Sequence, residues 1–321
     1  MHPVVVVGAG ISGIGCARTL AAAGLPVRVL DRAGRPGGRM ATAEHAGRPV
    51  DIGASYFTVS DEQFELVVRD WQRRGLARPW TDTFDVHRPS EAPRRSTGPM
   101  RWAAGAGLRG LVADLAETAG LTVERVNVDE VATGAAGLTV AGEPAAAVVL
   151  AMPDPQARRL LHPALAPERA GLAALFEPVL ALSAGWPARN WPDFDGMFVH
   201  SDERLSWIAD DGARRGDGAP VLVAHSTPAW AAERLDHPQA ATPELLQALR
   251  EVLGIAGEPS WTSLHRWSFA KPAAGRAAAF QLWPSGIGAC GDGWAQRPRV
   301  EAAYLSGIGL GAALAARLIT G

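Results

Sequence analysis

Three glycines, Gly8, Gly10 and Gly13, follow a run of four valines in a G-x-G-x-x-G spacing. Each has its own task in a phosphate-binding turn. Gly8 permits a tight bend, Gly10 lets the backbone approach a pyrophosphate, and Gly13 lets a helix pack closely on a strand. Ile11 and Ser12 lie within the same turn, where a helix N-terminus offers free N–H groups and partial positive charge to phosphates. Asp31 closes the next apolar run, the place of a ribose-binding acid. This arrangement binds a dinucleotide, and by itself it does not separate NAD from FAD.

A second cluster, "RAGRPGGRMA", comes directly after Asp31 and leads into "VDIGASYFT". Gly37 and Gly38 let the chain pass tightly over a long dinucleotide, with Met40 just beyond. Arg39 then brings a guanidinium near the phosphates, where a forked donor is well suited. Taken alone, the arginines of this cluster also read as solvated groups on a surface turn.

The elements that must position these residues follow from the residue pattern. Four valines suit a buried parallel strand. The alanine-rich stretch 14–23 suits a helix that ends at Gly24. A second strand covers 27–30, completing a βαβ unit. Residues 61–74 predict a helix with Asp61 as its cap and Phe64, Val67, Val68 and Trp71 on one face. Stretch 77–100 holds several prolines and little periodicity, so it reads as loops and short strands. A helix over 108–119 and strands near 121–126 and 138–152 continue the alternation of one nucleotide-binding sheet.

From 163 to about 271 tryptophan and proline become frequent. Strand-like runs cover 179–185, 205–209, 221–226 and 262–268, with two helices between the last two. A buried strand and turn over 286–294 and a helix from Val300 close the chain. The expectation is an α/β protein with a discontinuous Rossmann-like nucleotide domain (1–58, 100–160 and 280–321). An inserted α+β substrate domain (59–99 and 161–279) carries a mixed or antiparallel sheet.

Composition narrows the classes. The 321 residues carry a formal net charge of -2, so a nucleic-acid partner is not indicated. Two cysteines, Cys16 and Cys290, and eight scattered histidines give neither a disulfide framework nor a metal-ligand spacing. A reducing cytoplasm is the default, and no signal peptide is apparent. The stretch 302–319 is apolar and contains Gly307 and Gly311, but Arg317 interrupts it. A buried helix is expected there, and no membrane partner.

With both glycine clusters in view, the chain resembles the amine-oxidase-type FAD proteins of the glutathione-reductase superfamily. "GGRMAT", "DIGASYFTVSD", "AHSTPAWAAERL", "LHRWSFAKP" and "CGDGWAQRPRVEAAYLSG" resemble the renalase branch, in order from end to end. The resemblance implies non-covalent FAD in a Rossmann-like domain of glutathione-reductase type, with the flavin at the domain interface. Gly8, Gly10, Gly13, Asp31, Arg32, Gly38 and Arg39 would hold the ADP half and pyrophosphate, and Val126 would meet the adenine through its backbone. Gly53, Ala54 and Ser55 would pass beside the isoalloxazine, Asp292 would meet the ribitol side, with Gly291 beside it among the cofactor-binding residues, and Val300 would present its N–H to the flavin N1/O2 edge.

The same resemblance implies an oxidase that takes hydride onto flavin N5 from 2- or 6-dihydro isomers of NAD(P)H. The partners would be that small-molecule substrate and O2, with hydrogen peroxide as product. A flat pyridine ring wants an aromatic slot with few polar handles, and Tyr56, His265, Trp267 and Trp294 are the candidates. His265 matches a family pocket histidine, and it also reads as a core histidine on a strand. Core packing is the other reading of the two tryptophans. Lys271 invites comparison with the lysine that amine oxidases place near N5, but next to Pro272 it reads as a surface lysine on a loop.

Two segments depart from the renalase pattern. "MRWAAGAGLRGLV" replaces a W-V-G-x-P-G-M-S-type segment, and "LSWIADDGARRGDG" lacks a serine-lysine-proline-glycine-arginine stretch. Both leave the substrate open. An amine oxidase or desaturase acting on another small molecule, and a flavin- or NAD-binding module without turnover, remain as alternatives.

Overall fold

The computed structural model describes residues 2–88, 94–135, 137–200 and 202–320. The chain divides into two compact units: Met1–Met40, Arg109–Phe176 and Lys271–Gly321 form the first, and Ala41–Leu108 and Glu177–Ala270 the second.

The first unit is built on a six-stranded sheet in the spatial order Gln281–Leu282, Ile287–Ala289, Ala147–Leu150, Val4–Val7, Val27–Asp31, Val123–Arg125. Four neighbouring pairs are parallel, and only Gln281–Leu282 runs antiparallel at the edge. The valine strand sits inside the sheet and all four of its residues are buried, which is why it reads as unbroken apolar sequence. The helix Ile11–Ala22 begins at the glycine turn, three residues earlier than the alanine pattern suggests.

Helix Val300–Thr320 is long and apolar enough to cross a membrane by length and composition, and 44% of its most apolar window is buried. It packs on the helix Ile11–Ala22, most closely at two of its glycines. A Cβ at Gly307 would lie 2.0 Å from Ser12 O, and one at Gly311 would lie 2.8 Å from Cys16 O. The G-x-x-x-G spacing therefore serves a close helix–helix contact within this unit.

The second unit is built on an eight-stranded sheet in the order Trp261–Pro272, Phe176–Gly185, Val221–Ser226, Leu205–Asp210, Gly196–Val199, Arg78–His87, Arg94–Ala103, Phe57–Thr58. Antiparallel pairs predominate, and Gly196–Val199 pairs in parallel with Arg78–His87, so the sheet is mixed. The amphipathic helix Thr242–Leu253 buries Leu245, Ala248 and Leu249 against Leu180, Leu182, Leu222 and Ala224. Strand alternation sends Val221 and Val223 to the other face, where they meet Val50.

The stretch read as loops and short strands is instead a long hairpin, Arg78–His87 with Arg94–Ala103. Its pairing is irregular between Pro79 and Thr83, and residues 94–100 are exposed on both faces. Bulges and exposure remove the apolar alternation that marks a strand. The units also break at other places than the sequence suggests. Residues 41–58 and 100–108 lie in the second unit, because Phe57–Thr58 pairs with Arg94–Ala103. Residues 161–176 and 271–279 lie in the first, where Leu161, Leu165 and Leu172 join the core under the nucleotide sheet.

Candidate functional site

In the first unit the two glycine clusters meet. Gly8 adopts φ +107°, and a Cβ there would lie 2.6 Å from Ala151 O. A Cβ at Gly13 would fall 2.0 Å from Gly8 O, so helix and strand touch there through backbone alone. Gly37 N donates to Ala9 O at 2.9 Å, and Gly10 and Gly37 form a parallel bridge. Gly38 sits over Gly10: a Cβ on it would be 2.9 Å from Gly10 Cα. The second cluster thus folds directly onto the first.

Helix Ile11–Ala22 starts at Gly10 with no side-chain cap. Ser12 Oγ is buried there and, among the described residues, has no nitrogen or oxygen partner. Only the thiol of Cys290 lies beside it, a weak partner whose own pKa burial pushes up to about 12. Asp31 is held at both oxygens, accepting from Ala9 N at 3.0 Å and from Ala33 N at 2.8 Å. That fixes the carboxylate at the strand end with lone pairs to spare.

Arg39 and Asp292, 253 residues apart, form a bidentate pair at 3.0 and 2.6 Å. Each was expected to meet the dinucleotide, and the structure brings them to each other. Met40 is buried in the short turn after them, whereas Arg32 is exposed. Val126 follows the strand Val123–Arg125, and its amide donates to Asp31 O at 3.2 Å. Gly291 takes φ +146° and donates its amide to Ser306 Oγ at 2.9 Å, and Val300 is the first residue of the C-terminal helix.

Trp294 is a core residue of the first unit, with Leu165, Leu172 and Trp283, under the Arg276 guanidinium at 3.9 Å. Trp294 is 5% exposed and its indole packs among them. Lys271 lies on the strand Trp261–Pro272, not on a loop, and is exposed. Arg109 was missed. Its side chain lies against Gly37, whose Cβ would come 3.0 Å from Arg109 Cγ. Placed on a helix by its periodicity, it carried no signal of that neighbour.

In the second unit the residues 52–55 carry no regular structure, and side chains hold them. Trp267 Nε1 donates to Ile52 O at 2.7 Å, Trp207 Nε1 to Ser55 Oγ at 3.0 Å, and Arg214 Nη1 to Ser55 O at 3.1 Å. Gly53 and Ser55 are buried and Ala54 half-buried. His265 stands beside Trp267, with ring centroids 4.4 Å apart. Tyr56 belongs to a cluster with Trp80, Phe84 and Trp207 at 5.2–6.3 Å. Arg101 lies over the Phe84 ring at 4.1 Å. Burial raises the Tyr56 phenol above its usual range and Arg101 opposes that rise, so the hydroxyl is protonated near neutral pH and can donate.

These features fit FAD. An uncapped helix start, an enclosed hydroxyl with no strong partner, glycine surfaces free of Cβ and an anchored acid at the strand end suit a pyrophosphate and a ribose.

Comparison with known proteins places the chain. Residues 6–71 match a description as an NAD(P)-binding Rossmann-like domain, and residues 94–309 match the flavin-containing amine oxidoreductases. The chain belongs to the flavin-containing amine oxidoreductase family, a class of FAD-dependent oxidoreductases, and FAD is its cofactor. Among curated relatives it is 52% identical over 58 residues to hydroxyneurosporene desaturase of Rubrivivax gelatinosus, covering 18% of this chain and 11% of the relative. A probable polyamine oxidase 4 of Arabidopsis thaliana is 50% identical over 60 residues, 18% of this chain and 12% of that one. These matches span about one ninth of the relatives' length. The fold is similar to cyclohexylamine oxidase from Brevibacterium oxydans over 99% of both chains, with a TM-score of 0.76 and 16% identity. It is also similar to a putative protoporphyrinogen oxidase from Exiguobacterium over 98% of this chain and 99% of that one, with a TM-score of 0.75 and 15% identity.

Proposed function

We propose that the protein is an FAD-dependent oxidase acting on small dihydropyridines of the 2- or 6-dihydro-NAD(P) type, as the renalase resemblance implies. Bound FAD supplies a two-electron acceptor that O2 can reset, with hydrogen peroxide as product. Gly8, Gly10, Ile11, Ser12, Gly13 and Asp31 hold the ADP half. Gly37, Gly38, Arg39, Met40, Gly291, Asp292 and Val300 follow the cofactor onward, and Gly53, Ala54 and Ser55 border the isoalloxazine. Tyr56, His265 and Trp267 orient the substrate ring. The oxidation of a dihydropyridine needs no proton abstracted from carbon, so none of these residues has to act as a base.

The observation that carries this reading is the charge beside Tyr56. The aromatic cluster already contains a cation of its own, Arg101 over Phe84. A protonated amine drawn towards these rings by cation–π attraction would meet a like charge. A neutral dihydropyridine carrying anionic phosphates would not. Anaerobic mixing with 6-dihydroNAD is expected to bleach the flavin absorption within seconds. No bleaching by any dihydro isomer ends this reading.

A second reading is an amine oxidase or desaturase acting on another small molecule. The family match over residues 94–309 favours it. Bleaching by cyclohexylamine or putrescine, with none by a dihydropyridine, selects it.

A further inference from the structure

The stretch 205–218 departs from the renalase pattern, and the structure shows what stands there instead. The strand Leu205–Asp210 runs into a five-residue helix, Asp211–Arg215, started by Asp210 accepting from Ala213 N at 2.9 Å. Its two arginines point inward. Arg214 and Asp211 are fully buried, and Arg215 is 6% exposed. Arg214 pairs with Asp211, and Arg215 bridges Asp211 at 3.0 Å and Asp51 at 3.1 Å. Arg48 also pairs with Asp211 and reaches Asp217 at the rim at 2.8 Å. Burial alone would raise the Asp211 carboxyl, but Arg214, Arg215 and Arg48 outweigh it and hold the group below the ordinary range. Three guanidiniums thus face three carboxylates, and the cluster is neutral as a whole.

The cluster ends on the segment 52–55. Arg214 reaches Ser55 O, and Trp207, from the strand leading into the same helix, reaches Ser55 Oγ. Asp51, just upstream, accepts from Thr42 Oγ1 at 2.6 Å and from Leu108 N at 3.0 Å. Ser55 is therefore held at its carbonyl and its hydroxyl by two donors of one strand–helix unit. A trans peptide points its N–H opposite to its C=O, so the grip on Ser55 O turns the Tyr56 N–H away from the cluster.

We propose that Arg214 is a positioning residue for the cofactor. Through Ser55 O it orients the Ser55–Tyr56 peptide and anchors the end of the segment 53–55, and its buried charge balances the carboxylates behind them. The inference rests on the assignment of 53–55 to the isoalloxazine border. Without the Arg214 charge the cluster holds one uncompensated carboxylate behind that border. The bound flavin then becomes harder to reduce, because added electron density meets a negative field.

Two variants test this, Arg214→Met and Arg214→Lys, each titrated with FAD as apoprotein and then examined for spectrum and midpoint potential. In R214M, FAD binding is expected to weaken about tenfold, the scale of one charge-assisted hydrogen bond, and the potential to move negative. R214K keeps the charge but not the fork, so its potential should return towards the parent value while its affinity stays reduced. A purely structural role would weaken both variants without separating their potentials. R214M with parental affinity and potential overturns the proposal. Where R214M fails to fold, R214K carries the test, because it alters the same fork on Ser55 O, and parental FAD affinity in R214K overturns the proposal equally. Gly53→Val tests the border assignment itself. If G53V binds FAD with parental affinity and spectrum, that assignment fails and the proposal with it. If G53V is impaired and R214M is not, only the role of Arg214 falls.

Discussion

Gly13 leaves no space for a side chain. A methyl group there would stand 2.0 Å from Gly8 O, so either the strand or the helix must move. Gly13→Ala is expected to cost about 1–3 kcal/mol of stability, the scale of overpacking, and to abolish FAD retention on purification. Urea unfolding and the flavin absorbance of the purified variant measure both, and a yellow G13A of parental stability contradicts the contact. Glycines were legible in the sequence because their absence of a side chain is itself the signal. His225 was not. It lies on the strand Val221–Ser226 opposite Ala181 and Trp207, and only its register brings it under the cluster. The residue is half-buried, but its Nε2 is sealed and unpartnered among the described residues. Burial, with Arg214 adding to it, pushes its pKa down to about 4. The unfolded chain binds a proton near the ordinary value of about 6.5. His225 therefore favours the fold fully above that pH, and the contribution fades as pH falls from 6.5 towards 4. The loss is about 3 kcal/mol on that shift. His225→Gln should flatten the stability profile across that window and leave the neutral range to other effects. Parallel profiles of parent and variant would remove His225 as the cause.

Among the elements, those with a clear period were legible. Helix Glu62–Arg73 has Phe64, Val68 and Trp71 buried on one face, and Asp61 accepts from Gln63 N at its start, as the pattern predicts. Asp61→Ala removes that cap and should cost about 1 kcal/mol in urea unfolding; a change of a few tenths or less would show the N–H groups well served by water. The hairpin of Arg78–His87 and Arg94–Ala103 was hidden because its signals are weak locally and one of its neighbours, Gly196–Val199, lies far away in sequence. The short helix Asp211–Arg215 was hidden for a different reason. Two adjacent arginines after two aspartates read as solvated surface, and nothing local says that three chain segments will close over them. Burial of such a cluster is a tertiary fact, and removing one partner leaves an uncompensated charge. The departure from the renalase pattern drew attention to this stretch, while what its residues touch needed the fold.

At the scale of the whole molecule, the βαβ start fixed the class of the first unit, and the change in composition near 163 announced a second. Where the units divide was not legible. The boundaries at 176 and 270 fall inside the continuous strands Phe176–Gly185 and Trp261–Pro272, so no linker composition marks them. The first unit is assembled from three separated segments, 1–40, 109–176 and 271–321, and the residues proposed to hold the nucleotide come from all three. Arg39 pairs with Asp292 across two of them, and Gly37 packs against Arg109 across another two. A ligand that touches all three ties them together without new covalent links. FAD must therefore stabilise the native state by mass action, about 2.7 kcal/mol at a hundred times its Kd. Melting of apoprotein and FAD-loaded protein should differ by several degrees, and the difference should grow with FAD concentration. Proteolysis should cut the first unit of the apoprotein faster than that of the FAD-loaded protein. A melting temperature that does not move with FAD would mean that the three segments are already locked without the cofactor.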